Sequence, residues 1–233
     1  MNTHPGILGK KLGCTQIFNE DGTVVRVTVI EAGPCTIVRK RTQERDGYSA
    51  LQLAFGEKRA KLVGKPVKGQ LAKAGIEGRK VTNKKGHEVT LLPRELRELR
   101  LSAEEVAKYE VGQTLSVAEV LKAGQFVDVT GITRGRGFSG VFRRHNFAGF
   151  VDSHGTHEYK RHGGSIGTNM TPGRTLPGLR MPGQHGNARS TVLNLKIAQV
   201  IPEQNLVLVT GAVPGARNST VVVRGAVKAG RRA

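Results

Sequence analysis

Tryptophan and cysteine are scarce in this chain of 233 residues, and their scarcity excludes several structural classes. There is no tryptophan, and aromatic residues make up only 4% of the sequence. The two cysteines, Cys14 and Cys35, have no third or fourth cysteine beside them. The chain therefore has neither a disulfide framework nor a thiolate metal site. We expect both cysteines to be small buried hydrophobic residues.

Long apolar runs are also missing. No apolar segment approaches the roughly 18 residues that a membrane helix needs. The first residues, MNTHPGILGKKLGC, lack the apolar stretch of a signal peptide. We therefore expect a cytoplasmic protein that does not associate with a membrane.

Acidic residues are few relative to basic ones. The sequence has 37 Lys and Arg against 18 Asp and Glu, a formal charge of +19. Such a balance is typical of proteins that bind polyanions. Leu, Ile, Val and Phe number 61, about 26% of the chain and above the roughly 20% below which charged chains stay disordered. A hydrophobic core is therefore expected.

Alternating β-branched segments occur near both ends of the chain. Before the middle, residues 23–31, 36–42 and 48–55 favour strands, and after it residues 192–201, 206–210 and 219–224 do so. Helices are predicted only in 65–75 and 93–108, where Ser102 and Glu105 form a capping-box pattern. These patterns predict a mainly β fold, an antiparallel barrel closed by N- and C-terminal strands, with a small helical insertion at about 65–110.

The segment 131–191 differs from the rest of the chain. It holds 13 of the 31 glycines, five of the seven histidines and nine Lys or Arg, but only Asp152 and Glu158 as acids. Its apolar residues follow no sustained period, so we expect a structureless segment without a core of its own. Ordinary connections rarely exceed about 12 to 15 residues, which indicates a functional segment. We infer that a phosphate-bearing partner orders it.

Two motifs in this segment suggest enzymes at first sight. Residues 135–140, GRGFSG, match the dinucleotide-binding fingerprint, but that fingerprint requires a helix directly after it, and none is predicted here. His154, His157 and His162 could suggest a metal site, yet the run is broken by Gly155 and lacks the helical i, i+4 spacing. No serine lies in a nucleophile elbow. The sequence therefore predicts no enzyme, no cofactor and no small-molecule substrate.

Several ordered motifs together closely resemble the bacterial ribosomal protein L three family of the large subunit. They are GILGKKLGCTQIF from residue 6, VTVIE from 27, VDVTG from 127, RGFSG from 136, SHG from 153, GSIG from 164, TPGR from 171, GQHGN from 183 and LVLVTGAVPG from 206. One departure is Met170, which stands where some bacterial members have a methylated glutamine. That modification is not carried over. Around residues 80–101 the chain is also longer than the shorter members of this family.

The resemblance implies a six-stranded barrel of the translation-factor type on the outer surface of the large subunit. It also implies a long arm that penetrates the ribosomal RNA toward the peptidyl transferase centre. Members bind this RNA directly near its 3′ end, act early in subunit assembly and contact neighbouring ribosomal proteins. On this basis residues 1–125 and 196–233 are expected to form the barrel, and residues 126–195 the arm.

The chemistry of the segment and the resemblance together predict the RNA-binding residues. Guanidinium groups pair with phosphates and stack on bases, and imidazole and phenyl rings stack on bases. The predicted residues are Arg134, Arg136, Phe138, Arg143, Arg144, His145, His154, His157, Lys160, Arg161, His162, Gly163, Gly164, Ser165, Asn169, Arg174, Arg180, Gln184, His185 and Arg189. Two alternatives remain open at this point: a free-standing nucleic-acid chaperone or regulator, and an enzyme of the metal-hydrolase class.

Overall fold

The computed structural model describes residues 3–82 and 86–228. The strands in these residues are β1 (Gly6–Phe18), β2 (Val24–Ala32), β3 (Cys35–Arg41), β4 (Ala50–Arg59), β5 (Arg79–Thr82), β6 (Glu88–Arg100), β7 (Thr114–Leu115), β8 (Phe126–Ile132), β9 (Gly137–Ser139), β10 (Gly183–His185), β11 (Arg189–Ile201), β12 (Leu206–Thr210) and β13 (Thr220–Gly225). The α-helices are α1 (Gln43–Asp46), α2 (Lys65–Lys73), α3 (Ala103–Ala107), α4 (Val117–Val120) and α5 (Val141–His145), and Ala60–Leu62, His157–Arg161 and Pro202–Gln204 are 3₁₀-helices. The prediction of a mainly β protein with few short helices is confirmed.

Six long strands form a closed, hydrogen-bonded ring. Their order is β1, β13, β8, β11, β12 and β2, and β2 pairs again with β1. The first strand lies antiparallel to the last, with Ile7 opposite Val223. Alternate residues of this six-stranded ring, such as Ile30, Val127 and Val207, are completely buried in the largest hydrophobic cluster. Because β1 pairs with β13, the ring closes between the first and the last described strand and leaves no strand edge unpaired.

Strands between residues 35 and 115 form a second sheet of five strands, so the prediction of a small helical insertion at about 65–110 was wrong in its extent and in its main secondary structure. The strand order in this sheet is β5, β6, β4, β3 and β7. The predicted helix at 65–75 is confirmed as α2, whereas the helix predicted at 93–108 is wrong over most of its length, because β6 continues to Arg100. Leu99 lies opposite Leu51 of β4 and both are buried. Pairing with a buried neighbour strand therefore overrides the helix propensity of the Leu, Glu and Arg residues.

Only the last part of that predicted helix forms. It is α3, and the Ser102 hydroxyl accepts a hydrogen bond from the backbone N–H of Glu105 at 3.3 Å. The pattern at Ser102 therefore marked the helix start correctly, since this bond satisfies a backbone donor that the first turn leaves unpaired.

The two cysteines differ in environment. Cys35 is buried, as expected, and burial raises the pKa of its thiol to about 12. Cys14 is exposed, so its assignment as a buried residue was wrong. It lies in the half of β1 beyond the buried residues 6–9, where it is opposite Thr28 of β2. The buried pattern of a strand need not extend along its whole length.

The chain divides into two compact units. Residues up to 131 and from 190 onward form one, called here the strand unit, and residues 132–189 form the other, called the glycine-rich unit. No helix in the described part of the chain is long and apolar enough to cross a membrane.

Candidate nucleic-acid interface

The glycine-rich unit begins and ends in a two-stranded antiparallel ladder. In it β9 pairs with β10, and Gln184 lies opposite Phe138. The N–H of Arg136 donates to the carbonyl of His185 at 2.8 Å, and the N–H of Thr133 donates to the carbonyl of Ala188 at 2.9 Å. The expectation of a structureless segment was therefore wrong at both ends of this unit. Three-residue strands are too short for an alternating pattern to show in the sequence.

A short helix follows the GRGFSG motif directly. It is α5, whose five residues begin after Gly140, so the prediction that no helix follows was wrong. The strand before it, β9, belongs to an antiparallel ladder, whereas the dinucleotide-binding fingerprint requires a strand of a parallel βαβ unit and a long helix. The arrangement around residues 135–140 is therefore not that of a dinucleotide site.

The last turn of α5 binds the chain that returns to the ladder. Arg144 donates from Nη1 to the carbonyl of Met181 at 2.7 Å, and Nε2 of His145 lies 3.1 Å from the same oxygen. Both side chains are half-buried. These two predicted RNA-binding residues thus have hydrogen bonds within the unit, and they connect α5 to residues 181–183.

The connection between α5 and β10 is ordered by contacts between basic and aromatic side chains. The guanidinium carbon of Arg161 lies 4.0 Å from the centroid of the Phe142 ring, and Tyr159 packs edge-on against His162 at 4.9 Å between centroids. Such cation–π contacts fix the direction of a long basic side chain. The role of Phe142 was missed because nothing in the sequence links residues 19 positions apart.

The three histidines singled out for metal binding do not form a metal site. His154 and His157 both have positive φ angles, 57° and 45°; His154 lies in a turn and His157 begins a 3₁₀-helix. Asp152 forms an ion pair with Lys160 at 3.3 Å. Among residues 3–82 and 86–228, no three His, Cys, Asp or Glu side chains lie close enough together to hold a metal ion.

The glycine-rich composition also predicts that Gly163, Gly164, Gly167 and Gly173 have positive φ angles or allow the backbone to approach RNA. Gly164 and Gly173 do have positive φ, 80° and 66°. At Gly163 an added Cβ would lie 3.0 Å from a methyl group of Val141, so its close neighbour is protein. Gly167 has no positive φ and has open space around it, so for this glycine the approach of RNA to the backbone stays a prediction.

Most residues predicted to contact RNA are exposed on the glycine-rich unit. Seventeen of the twenty are exposed, and Arg144, His145 and His185 are half-buried. The exposed ones are Arg134, Arg136, Phe138, Arg143, His154, His157, Lys160, Arg161, His162, Gly163, Gly164, Ser165, Asn169, Arg174, Arg180, Gln184 and Arg189. The unit has nine Lys and Arg against two acids, so its surface is strongly positive.

The pKa of His185 is affected by the positive charges of this surface. Burial lowers the pKa of its imidazole, and the charges of Arg136, Arg143 and Arg144 lower it further. Its Nδ1 is buried and has no hydrogen-bond partner. We therefore expect His185 to be neutral and to support the ladder, with its backbone carbonyl bonded to Arg136.

Comparison with known proteins agrees with these features. The sequence profile of the family described as Ribosomal protein L3 matches residues 98–204. The large ribosomal subunit protein uL3 of Sorangium cellulosum (strain So ce56) is 57% identical over 228 residues, which cover 98% of this chain and 92% of that protein. The chain belongs to the ribosomal protein L3 family. Ribosomal proteins L3 are structural, non-enzymatic components of the large subunit, so the resemblance found in the sequence and the prediction of no enzymatic activity are confirmed.

Proposed function

We propose that this chain is a structural constituent of the large ribosomal subunit that binds large-subunit RNA directly through the glycine-rich unit. It supports early subunit assembly and extends an arm toward the peptidyl transferase centre. The observation that carries this proposal is the surface of residues 132–189, where eight of nine Lys and Arg side chains are exposed. Only Asp152 and Glu158 offset their charge.

The chemistry of this surface suits RNA better than a protein partner. Backbone phosphates pair with guanidinium groups, and single-stranded bases stack on aromatic rings. Exposed aromatic rings occur in the same unit as the exposed arginines. Phe138, which lies on strand β9 two residues after Arg136, is 80% exposed. A phenyl side chain that is exposed to water contributes little to the stability of the fold. The exposure of Phe138 therefore favours a partner with flat apolar faces.

The division of the chain supports separate roles for its parts. We propose that the six-stranded ring is a barrel of the translation-factor type, that the chain binds the large-subunit RNA near the 3′ end of that RNA, and that it contacts neighbouring ribosomal proteins. Within the residues 126–195 predicted as the arm, we assign this role to the glycine-rich unit, residues 132–189, because β8 and β11 at the two ends of that range belong to the ring. No cofactor or small-molecule substrate enters this function.

Sedimentation of cell lysate in a sucrose gradient tests the proposal. We expect this chain to migrate with the large subunit and to stay there after a high-salt wash, because many simultaneous contacts hold it. A transiently bound chaperone would be released, since phosphate contacts weaken steeply with salt. Release of the chain into the top fractions while other large-subunit proteins remain would contradict the proposal.

A further inference from the structure

The glycine-rich unit contains a cavity of about 460 Å³ between α5 and the returning chain. Its apolar lining includes Val141, Phe147, Ile166, Leu179 and Met181. Two of these residues are exposed: Ile166 is 59% exposed and Leu179 is 41% exposed. The volume lies in the range of about 300 to 1,000 Å³ that small-ligand pockets occupy.

The walls of the cavity are held in place by bonds within the unit. Arg144 and His145 bind the carbonyl of Met181, which fixes the wall that includes this residue. The backbone at Gly163, another lining residue, lies so close to Val141 and the Phe147 ring that an added Cβ would be 3.0 Å and 3.5 Å from them. The cavity is therefore a built feature of the unit.

The rim of the cavity is basic. Arg161, His162 and Arg180 contribute to its lining, and none of the lining residues is acidic. The guanidinium of Arg161 is stacked on Phe142 at 4.0 Å, so its charge is held at this rim. A ligand that fits must combine an apolar body with a negative charge.

We propose that this cavity binds one unpaired nucleobase of RNA, with its phosphates on the basic rim. A base has flat apolar faces and is attached to an anionic backbone, which matches the walls and the rim. Only an unstacked base can present both faces, and such bases are the usual targets of proteins on RNA. This inference rests on the proposed RNA-binding function and specifies which part of the RNA the cavity binds, namely one unpaired base.

The test uses the full-length protein and two RNA hairpin probes of equal length. One probe has a single bulged 2-aminopurine, and in the other the same base is paired. We expect the bulged probe to bind about tenfold more tightly, because the stacking of one base on apolar and aromatic side chains increases affinity by about this factor. The emission of the bulged 2-aminopurine should change on binding, because its stacking changes.

Variants separate the cavity from the charged surface. Ile166→Ser combined with Leu179→Ser should abolish the preference for the bulged probe and leave the salt dependence of binding unchanged. Leu176→Ser is the matched control, because Leu176 is 66% exposed nearby in sequence but does not line the cavity. We expect this control to retain the preference. All three side chains are exposed, so folding should be preserved.

Three results would overturn the inference. Equal binding of both probes by the unmodified protein, with normal salt dependence, would refute the base site and leave the proposed function intact. Failure of both probes to bind would refute the proposed function and the base site with it. Tighter binding of an acidic peptide that contains phenylalanine, lost in the double variant, would show that the cavity takes a protein segment instead.

Discussion

Replacing three exposed arginines by alanine should change how salt affects RNA binding. The residues are Arg134, Arg136 and Arg143, which lie in or beside the ladder and α5 of the glycine-rich unit. Arg144 is left unchanged because it holds the carbonyl of Met181. Each phosphate contact contributes roughly 0.7 to 0.9 to the slope of log affinity against log salt, so losing three should reduce that slope by about 2 to 3.

The assay is fluorescence anisotropy with a large-subunit RNA fragment between about 50 and 200 mM salt, the range over which phosphate contacts weaken measurably. A triple variant of the exposed residues Lys61, Lys65 and Lys68 removes the same charge from the strand unit. We expect the arginine variant to have the flatter slope of the two. An unchanged slope, or one equal to that of the lysine variant, would refute the location of the phosphate contacts in the glycine-rich unit.

Three further predictions concern single positions. Gly164→Asp places a negative side chain in open space, where the positive φ of 80° strains it by about 1 kcal/mol, so we expect only a small loss of melting temperature of the free protein but a reduced yield of reconstituted large subunits; a large loss of melting temperature would contradict this. Alkylation of the folded protein should modify Cys14 and spare Cys35, whose pKa is about 12, whereas modification of both without denaturant would show that Cys35 is accessible. Because the pKa of His185 is lowered, the folded state resists its protonation, so the protection of the ladder amides from exchange, measured relative to the intrinsic exchange rate at each pH, should decrease as pH falls below about 6.5. His185→Gln should remove this dependence and the exposed control His154→Gln should retain it; the same dependence in both variants would assign it to another group.

Four strands of the six-stranded ring, β2, β11, β12 and β13, could be predicted because β-branched residues are concentrated in them. Residues 206–210 form β12 as expected, with the interior of the strand buried. At β6 the same reasoning failed, since Leu, Glu and Arg spaced as in a helix pair instead with the buried strand β4. A pairing between residues distant in the sequence cannot be inferred from the local pattern of one segment.

The charge of the candidate interface could be predicted, but its internal structure could not. A count of Arg and Lys against Asp and Glu is enough to find a positive surface. The helix α5 has five residues, too few for an apolar stripe to be recognised. The bonds of Arg144 and His145 to Met181 join residues more than 35 positions apart, and no short-range pattern in the sequence indicates them.

Ultraviolet cross-linking of intact large subunits tests the central claim most directly. Peptides of this chain that carry a cross-linked nucleotide are identified by mass spectrometry after digestion. We expect the majority of them to lie in residues 132–189, at aromatic and basic side chains such as Phe138 and Arg161, which are both exposed. Cross-links confined to the strand unit, with none in residues 132–189, would contradict the assignment of the glycine-rich unit as the RNA-binding arm.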